Sequence, residues 1–245
     1  DGKGGIASKT LALNVVDPLT NWTRRASGVT TNLLYGVIFA GDQFVAVGIN
    51  NTILTSPDGV TWTRNTTFPS GISLTGVAHN GSRYVVSGYR FSNPTDKGLV
   101  AYSNDGVVWT TVNISTGLAQ FWGVTYGAGR FVAVGDSGVI YSSADSATWT
   151  AAVSPVTNTL RGVTFADGRF VACGDSGRVL TSPDGIAWTN RSLPSSGIYY
   201  SATRRARTAQ RSRFPQSLRR QEKRPLRQRH RPDRRGTGRA QRLGL

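Results

Sequence analysis

Residues that build catalytic and metal sites are scarce in this chain of 245 residues. It has one cysteine, Cys173, which excludes an internal disulfide and a zinc site built on cysteines. It has two histidines, His79 in a turn-like sequence and His230 in the C-terminal segment, and one glutamate, Glu222. A Ser-His-Asp triad requires a histidine held by a carboxylate, and neither histidine lies in a motif of that kind. The composition therefore argues against an enzyme and predicts no cofactor and no metal ion.

Methionine is absent, and the sequence begins at Asp1. For this reason we expect a fragment or a processed product. The sequence as it stands shows no signal peptide and no apolar run long enough to span a membrane. Insertion into a membrane is therefore not expected.

A repeated unit of about 40 residues dominates what is present. Its four copies run from Leu34 to Thr63, Leu74 to Thr110, Phe121 to Thr150 and Leu160 to Thr189, and each ends on a Trp-Thr pair. The tryptophans of these pairs are 47, 40 and 39 residues apart, and Trp22 lies 40 residues before the first. A constant period of this length indicates a repeat architecture.

Each copy divides into four short β-prone runs, which in the first copy are LYGVIFA, QFVAVGI, TILTS and VTWTRN. The turns between them, Gly41-Asp42, Asn50-Asn51 and Pro57-Asp58-Gly59, suit tight connections between antiparallel strands. A four-stranded meander with this period predicts an all-β, β-propeller-like array of four complete blades. A solenoid of hairpins is the second interpretation. Unmatched strands at both ends predict an incomplete ring, whose open blade edges would favour self-association.

The second run of each copy is apolar at nearly every residue, as in Phe131-Val132-Ala133-Val134-Gly135. A strand without alternation is expected to be covered on both faces, which fits a blade between two neighbouring blades. We predict that the alanines let adjacent sheets approach while the phenylalanines fill the gap on the other face.

The third turn of every copy carries a serine, an aspartate two residues later and a tryptophan four residues after that. These residues are Ser56, Asp58, Trp62, Ser103, Asp105, Trp109, Ser143, Asp145, Trp149, Ser182, Asp184 and Trp188. The pattern resembles the Asp-box, or BNR, repeat of sialidase-like and related secreted β-propellers, although one residue is missing between Asp and Gly. It is still more similar to propeller repeats of bacterial surface proteins.

The resemblance implies a structural role for this box. The carboxylate would accept backbone N–H bonds, the glycine would take the unusual φ, and the tryptophan would pack on its own blade. Metal binding by the four aspartates is the alternative, but the repeats would spread them around a rim. Sialidase activity is not expected, because the catalytic glutamate of sialidases has no counterpart in the repeats. The one glutamate, Glu222, lies in the C-terminal segment.

The sequence GDSG at Gly135–Gly138 and Gly174–Gly177 matches the short core of the trypsin-like serine protease motif. Neither copy is followed by the Gly-Pro of that family, and both align with the turn after the second run. We therefore interpret both as hairpin turns.

The repeats lose their symmetry at two places, which are candidate ligand-binding sites. The alternatives are a neutral loop insertion at the first place and a tryptophan packed within its blade at the second. The second copy contains extra residues that begin Tyr89-Arg90-Phe91, and the third has Trp122 where the others have Tyr35, Thr75 and Arg161. Aromatic residues and arginine are the usual anchors of interfaces and of stacking on sugars.

Both ends of the sequence differ from the repeats. Residues 1–17 are similar to the last strand of a bacterial cadherin-like or Ig-like module, and Trp22-Thr23 resembles the outer strand of a further blade. Such a strand is commonly completed by three strands from the C-terminal side, so we expect three more β runs after the fourth copy. The propeller repeats are assigned to residues 18–200.

Residues 201–245 contain 16 Arg or Lys and two acids, and so carry +14 of the formal net charge of +16. We expect this segment to be disordered, because it has few apolar groups. Two interpretations stay open. The segment is either an authentic polyanion-binding or nucleic-acid-binding tail, or a fifth blade read out of frame.

These features together predict a non-catalytic binding or scaffold module of a larger secreted or cell-surface protein of bacterial type. Its ligand would be a carbohydrate or a protein. The alternatives are an accessory propeller of a secreted glycoside hydrolase and nucleic-acid binding through the basic tail.

Overall fold

The computed structural model describes residues 28–91, 93, 95, 97–192 and 197–200. These residues form sixteen strands in four antiparallel sheets, and no helix among them is long and apolar enough to cross a membrane. The first sheet consists of β1 (Leu34–Ala40), β2 (Gln43–Gly48), β3 (Thr52–Ser56) and β4 (Thr63–Arg64). The second consists of β5 (Ile72–His79), β6 (Tyr84–Arg90), β7 (Gly98–Ser103) and β8 (Thr110–Val112).

The third and fourth sheets follow the same plan. The third consists of β9 (Phe121–Gly127), β10 (Arg130–Gly135), β11 (Ile140–Ser143) and β12 (Thr150–Ala151). The fourth consists of β13 (Leu160–Ala166), β14 (Arg169–Gly174), β15 (Val179–Ser182) and β16 (Thr189–Asn190). Short 3-10 turns, Asp136–Gly138 and Asp175–Gly177, follow β10 and β14. The predicted all-β fold and its four blades are confirmed, with strand ends within a few residues of the predicted copies.

Each sheet is a meander in chain order, and its first strand packs on the first strand of the next sheet: β1 on β5, β5 on β9, and β9 on β13. Glycines permit this approach. A Cβ added to Gly36, Gly76 or Gly123 would lie 3.4 Å from the Cα of the corresponding glycine in the next blade, which for Gly123 is Gly162. The first strands therefore form the inner edge of a propeller-like array.

The hydrophobic core consists of three clusters, one between each pair of successive blades. Phe131 and Ala133 of β10 face the second blade, whereas Val132 and Val134 face the fourth. The second strand of the third blade, β10, is thus covered on both faces, as its sequence predicts. The prediction that phenylalanine and alanine lie on opposite faces is wrong, because residues two apart in a strand share a face.

The first blade has no described blade in front of it, and the effect is seen at the first residue of each repeat copy. Leu74, Phe121 and Leu160 are fully buried, but the corresponding Leu34 is 44% exposed. Val37 and Phe39, farther along β1, are also exposed. The described residues thus form an arc with an uncovered inner strand at one end.

Side chains at the beginning of the second strands connect one blade to the next. The Gln43 amide donates to the carbonyl oxygen of Asp105 at 2.8 Å, and the Arg83 guanidinium donates to that of Asp145 at 2.8 Å. Each donor lies in one blade, and each acceptor lies in the third turn of the following blade. The repeats therefore interlock through hydrogen bonds at their periphery as well as through their cores.

Several predictions from the sequence fall outside the described residues. These are the cadherin-like strand at residues 1–17, the outer strand at Trp22-Thr23, the three further β runs and the basic segment 201–245. Residues 197–200 are described and bear on the fourth blade. The Gly177 N–H donates to the Gly197 carbonyl at 2.7 Å, as the Asn51 N–H donates to the Ile72 carbonyl at 2.7 Å between the first two blades. Residues 197–200 therefore begin in the place of a fifth inner strand.

Candidate functional site

The first strand of each blade, which we call its inner strand, has a β-bulge. The bulge lies at the second residue of the repeat copy. The pairing with the second strand skips Tyr35 in β1, Thr75 in β5, Trp122 in β9 and Arg161 in β13. A bulge leaves its extra residue out of the ladder and redirects the side chain. Each of the four copies thus carries a different residue at its bulged position.

The bulged residues line one cavity of about 290 Å³, together with Tyr200. Tyr200 stands three residues after Gly197, as Thr75 stands three residues after Ile72. We call this cavity the axial pocket, because one residue from each inner strand contributes to it. Its size is near the lower limit for ligand-binding pockets, and aromatic rings form much of its wall.

Trp122 is held in the axial pocket by Asp136, the first residue of the 3-10 turn that follows β10. The Trp122 Nε1–H donates to Asp136 Oδ1 at 2.6 Å, and the Gln120 N–H donates to Asp136 Oδ2 at 3.2 Å. Both carboxylate oxygens are therefore engaged. A buried or half-buried indole normally requires such a partner for its N–H, so this carboxylate orients the ring.

Arg161 is held in the same way by Asp175, in the corresponding turn of the fourth blade. Its Nε and Nη2 both donate to the carboxylate, the latter at 3.0 Å. This hydrogen-bonded pair raises the pKa of the Arg161 guanidinium above its ordinary value. The guanidinium also lies 5.7 Å from the ring centre of Trp122 and 5.3 Å from that of Tyr200. A planar cation between two rings is well suited to stacking.

The side of the axial pocket formed by the first two blades is less polar. The ring of Tyr89 lies 5.9 Å from that of Trp122, and the Thr75 hydroxyl is satisfied by the carbonyl oxygen of Phe121 at 2.9 Å. Tyr35 is 53% exposed and is directed to the pocket by its bulge. The axial pocket thus combines aromatic surface on one side with an Arg-Asp pair on the other.

The structure brings together only part of the ligand site predicted from the sequence. Trp122 lines the axial pocket, and Tyr89 lies outside that lining with its ring beside the ring of Trp122. Arg90 instead donates from Nη1 to the Gly98 carbonyl at 2.8 Å, and Phe91 is 55% exposed and is not among the residues lining the pocket. Whether any of these four residues binds a ligand stays a prediction.

Sequence reasoning missed the two carboxylates that orient the pocket side chains. Asp136 and Asp175 belong to the GDSG sequences, which do form turns as predicted: Ser137 and Ser176 have φ near +55°. A signal was present, because the residue after the second-strand glycine is acidic only in the third and fourth copies. In these two copies the bulged residue, Trp122 or Arg161, has a side-chain N–H group that donates to the carboxylate.

The four box aspartates lie apart from the axial pocket, in the third turns, and bond to their own backbone. In the first copy, Asp58 Oδ1 accepts from the Ser56 hydroxyl and from the backbone N–H groups of Val60 and Thr61 at 2.7–3.0 Å. The Trp62 Nε1–H donates to the Gly59 carbonyl at 3.2 Å. The same set of contacts recurs in the other three copies.

The third copy has Ser146 where the other boxes have glycine, at a φ of 66°. Left-handed backbone disfavours a residue with a side chain. The Ser146 hydroxyl is fully buried and accepts a hydrogen bond from the Arg83 guanidinium at 2.9 Å. The interlocking contact between blades therefore gives this side chain a partner.

The hydrogen-bonded carboxylates of the box aspartates predict that the chain loses stability in acid. Backbone N–H donors, chiefly that of Thr148, lower the pKa of Asp145 from 3.8 to about 2, and the same cause lowers the pKa of Asp58, Asp105 and Asp184. A depressed pKa stabilises the fold while the group is ionised. The contribution is therefore present above pH 3.8 and is lost as the pH falls towards about 2.

The measurement is the free energy of unfolding in urea between about pH 5 and about pH 2. Replacing all four box aspartates by asparagine keeps an acceptor oxygen but removes the titration. We expect this variant to lose less stability over that interval than the parent chain. An unchanged pH dependence would show that these carboxylates do not contribute.

Two other reactive groups, Cys173 and His79, are not among the residues lining the axial pocket. Burial raises the pKa of the Cys173 thiol, and burial lowers the pKa of His79. The His79 Nδ1 accepts the N–H of Gly81 at 3.0 Å within a turn. The described part of the chain contains no group of three His, Cys, Asp or Glu side chains placed to hold a metal ion.

Four-stranded meanders arranged around inner strands, with one pocket at those strands, define the fold class as β-propeller. Two solved structures of YCF48 are similar to this chain. For YCF48 bound to a D1 peptide, the TM-score is 0.54 and the identity 19%, over 71% of this chain and 57% of that one. For YCF48 from Cyanidioschyzon merolae, the values are 0.53 and 20%, over 71% and 60%.

These likenesses establish the fold. The chain spans about three fifths of the length of either YCF48 chain. No family model matches the sequence, so the similarity to Asp-box repeats and to a cadherin-like strand is one of motifs alone. No curated protein matches it either.

Proposed function

We propose that the chain is a non-catalytic binding module and that its axial pocket takes a segment of a protein ligand. One observation carries the proposal: the bulged residues differ between otherwise similar blades, yet they line a single pocket. If the position served only blade packing, the repeated packing would favour the same residue each time. Different residues at one point produce an asymmetric surface, which is what selective recognition requires.

The chemistry of the axial pocket suits a peptide. Tyr, Trp and Arg are the residue types that dominate the energetics of protein interfaces, and all three line this pocket. Aromatic rings would cover apolar side chains of the ligand. The Nη1 group of Arg161 is left over by the bidentate contact with Asp175, and it can donate to a backbone carbonyl.

The solved complex of YCF48 with a D1 peptide supports the proposal by showing that a propeller of similar fold accommodates a peptide. The hydrogen bonds of Asp136 and Asp175 support a binding role. Each carboxylate accepts from a pocket side chain, Trp122 or Arg161, and so orients a binding surface.

A carbohydrate is the second candidate ligand, and one contact favours it. The ring of Trp122 lies beside the Arg161-Asp175 pair, so a sugar could stack on the ring and bond its hydroxyl groups to the pair. The secreted or cell-surface location and membership of a larger protein stay predictions. Nucleic-acid binding would depend on residues 201–245, which lie outside the described residues.

The test is a selection of ligands from a peptide library and a glycan array, using the full chain, followed by affinity measurements on variants. Tyr35→Ala is the main variant, because Tyr35 lines the pocket and the residue is 53% exposed. We expect it to weaken binding roughly 30-fold, the effect of an interface hot spot. Val108→Ala, at a site 70% exposed in a box turn, is the control and should have no effect.

The same series tests the loop predicted from the sequence. If Phe91→Ala weakens the selected ligands and Tyr35→Ala does not, the ligand binds at the extended loop, and the axial pocket is not the site. Binding that disappears with rising salt and has the same affinity in both variants would indicate the basic segment instead.

A further inference from the structure

A second cavity, of about 350 Å³, lies beside the fourth blade. Its wall is formed by residues 154–158, which connect β12 to β13, and by Arg178 and Asn190. Arg178 directly precedes β15, and Asn190 ends β16. The cavity therefore lies along the seam between the third and fourth blades, and we call it the seam pocket.

The arginine of the seam pocket occupies a position that is not charged in the other blades. The corresponding residues are Thr52, Leu99 and Val139. Thr52 and Leu99 are fully buried, and Val139 packs against the core between the second and third blades. An arginine at this place is thus specific to one blade, as the bulged residues are.

The charge of Arg178 has no acidic partner among the described residues. Its Nε donates to Asn158 Oδ1 at 2.8 Å, and no carboxylate lines the seam pocket. Arg161, by contrast, is paired with Asp175. A partly buried cation without an opposite charge is unfavourable, and the Nη groups of Arg178 are left as strong, planar donors.

The amide of Asn190 adds a further donor. Its Oδ1 accepts from the backbone N–H of Ser192 at 2.9 Å and from the Ser192 hydroxyl. This fixes the orientation of the amide and leaves Nδ2–H₂ to donate elsewhere. The seam pocket thus offers a guanidinium and an amide donor, whereas its Ser154 hydroxyl is already engaged with the Val156 carbonyl.

We propose that the seam pocket binds an oxyanion group: a carboxylate, phosphate or sulfate. A guanidinium fork matches the geometry of these anions, and binding would neutralise the charge of Arg178. The volume of about 350 Å³ leaves room for the molecule that carries the anion. This site does not depend on the axial pocket, because different residues line the two cavities.

The test follows residue-specific NMR signals, since the basic segment 201–245 will bind anions nonspecifically and mask a bulk measurement. Acetate, inorganic phosphate and sulfate are titrated separately into the full chain at constant ionic strength, with chloride as the balancing salt. The Nε–H of Arg178 and the side-chain amides of Asn158 and Asn190 are observed. We expect saturable shifts of these signals with at least one of the three anions.

The identity of the anion that saturates first distinguishes a carboxylate ligand from a phosphorylated or sulfated one. Arg178→Gln should abolish saturation at the two asparagines, whereas Arg169→Gln, at an exposed arginine of the same blade, should leave it intact. Retained amide dispersion shows that either variant is folded. Shifts that are linear for all three anions, or that persist in Arg178→Gln, would overturn the proposal without bearing on the axial pocket.

Discussion

Gly135→Ala is expected to lower the free energy of unfolding by about 3 kcal/mol. Gly135 ends β10 with extended backbone, which any residue can adopt, so conformational freedom is not the reason. A Cβ at this position would instead lie 2.0 Å from the carbonyl oxygen of Gln120, just before the bulge at Trp122. The backbone must shift, and the bulge that directs Trp122 must shift with it.

The control for this prediction is Gly168→Ala. Gly168 has a φ of +75°, and a Cβ added there would have no atom within 4 Å, so alanine meets backbone strain without a clash. We expect a cost of about 1 kcal/mol. Both values come from urea unfolding with the indole fluorescence as the signal. Equal costs for the two variants would mean that the contact with Gln120 is not close.

The same contact recurs in the other blades. A Cβ at Gly48, Gly88 or Gly174 would also lie 2.0 Å from the carbonyl oxygen at the start of the first strand. The glycine at this position of each second strand is thus required by the bulge that supplies the pocket residue. Fold and site are coupled at this position, and loss of stability and loss of ligand binding should occur together in Gly135→Ala.

Leu74→Ala is expected to destabilise the chain by about 2–5 kcal/mol, the usual cost of removing a fully buried leucine. Leu74 is buried between the first two blades. Leu34→Ala is the matched control, because it changes the same copy position in the first blade, where the leucine is 44% exposed. The smaller buried area predicts a cost of about 1 kcal/mol or less.

Chemical denaturation of the two variants under identical conditions gives the comparison. Similar losses in the free energy of unfolding would require Leu34 to be as buried as Leu74. They would contradict the statement that the inner strand of the first blade is uncovered. A large difference would support the arc formed by the described residues.

The sequence allowed the blades to be predicted because turn residues and apolar runs recur in register. The turns at Gly41-Asp42 and Asn50-Asn51 have the left-handed φ values that those residue types favour. Strand faces were predicted less well: Phe131 and Ala133 were assigned to opposite faces. That error was one of local geometry and did not affect the fold.

The axial pocket was only partly predictable, for a physical reason. Symmetry between copies identified Trp122 as exceptional, but aligning the copies does not show that Trp122 and Arg161 share one cavity. That convergence depends on the bulges, which shift the register by one residue and leave no clear mark in composition. Asp136 was missed because its sequence context also satisfies a simple turn, and Tyr200 because it follows the last complete copy.

The most direct test of the central proposal is an NMR titration that follows the indole N–H signals of the tryptophans during addition of a selected peptide or glycan. The Trp122 Nε1–H is bonded to Asp136 in the axial pocket, whereas those of the box tryptophans donate to carbonyl groups of their own turns. We predict a saturable shift of the Trp122 signal with the box signals unchanged. Saturable shifts of box signals with that of Trp122 unmoved would contradict the proposed site.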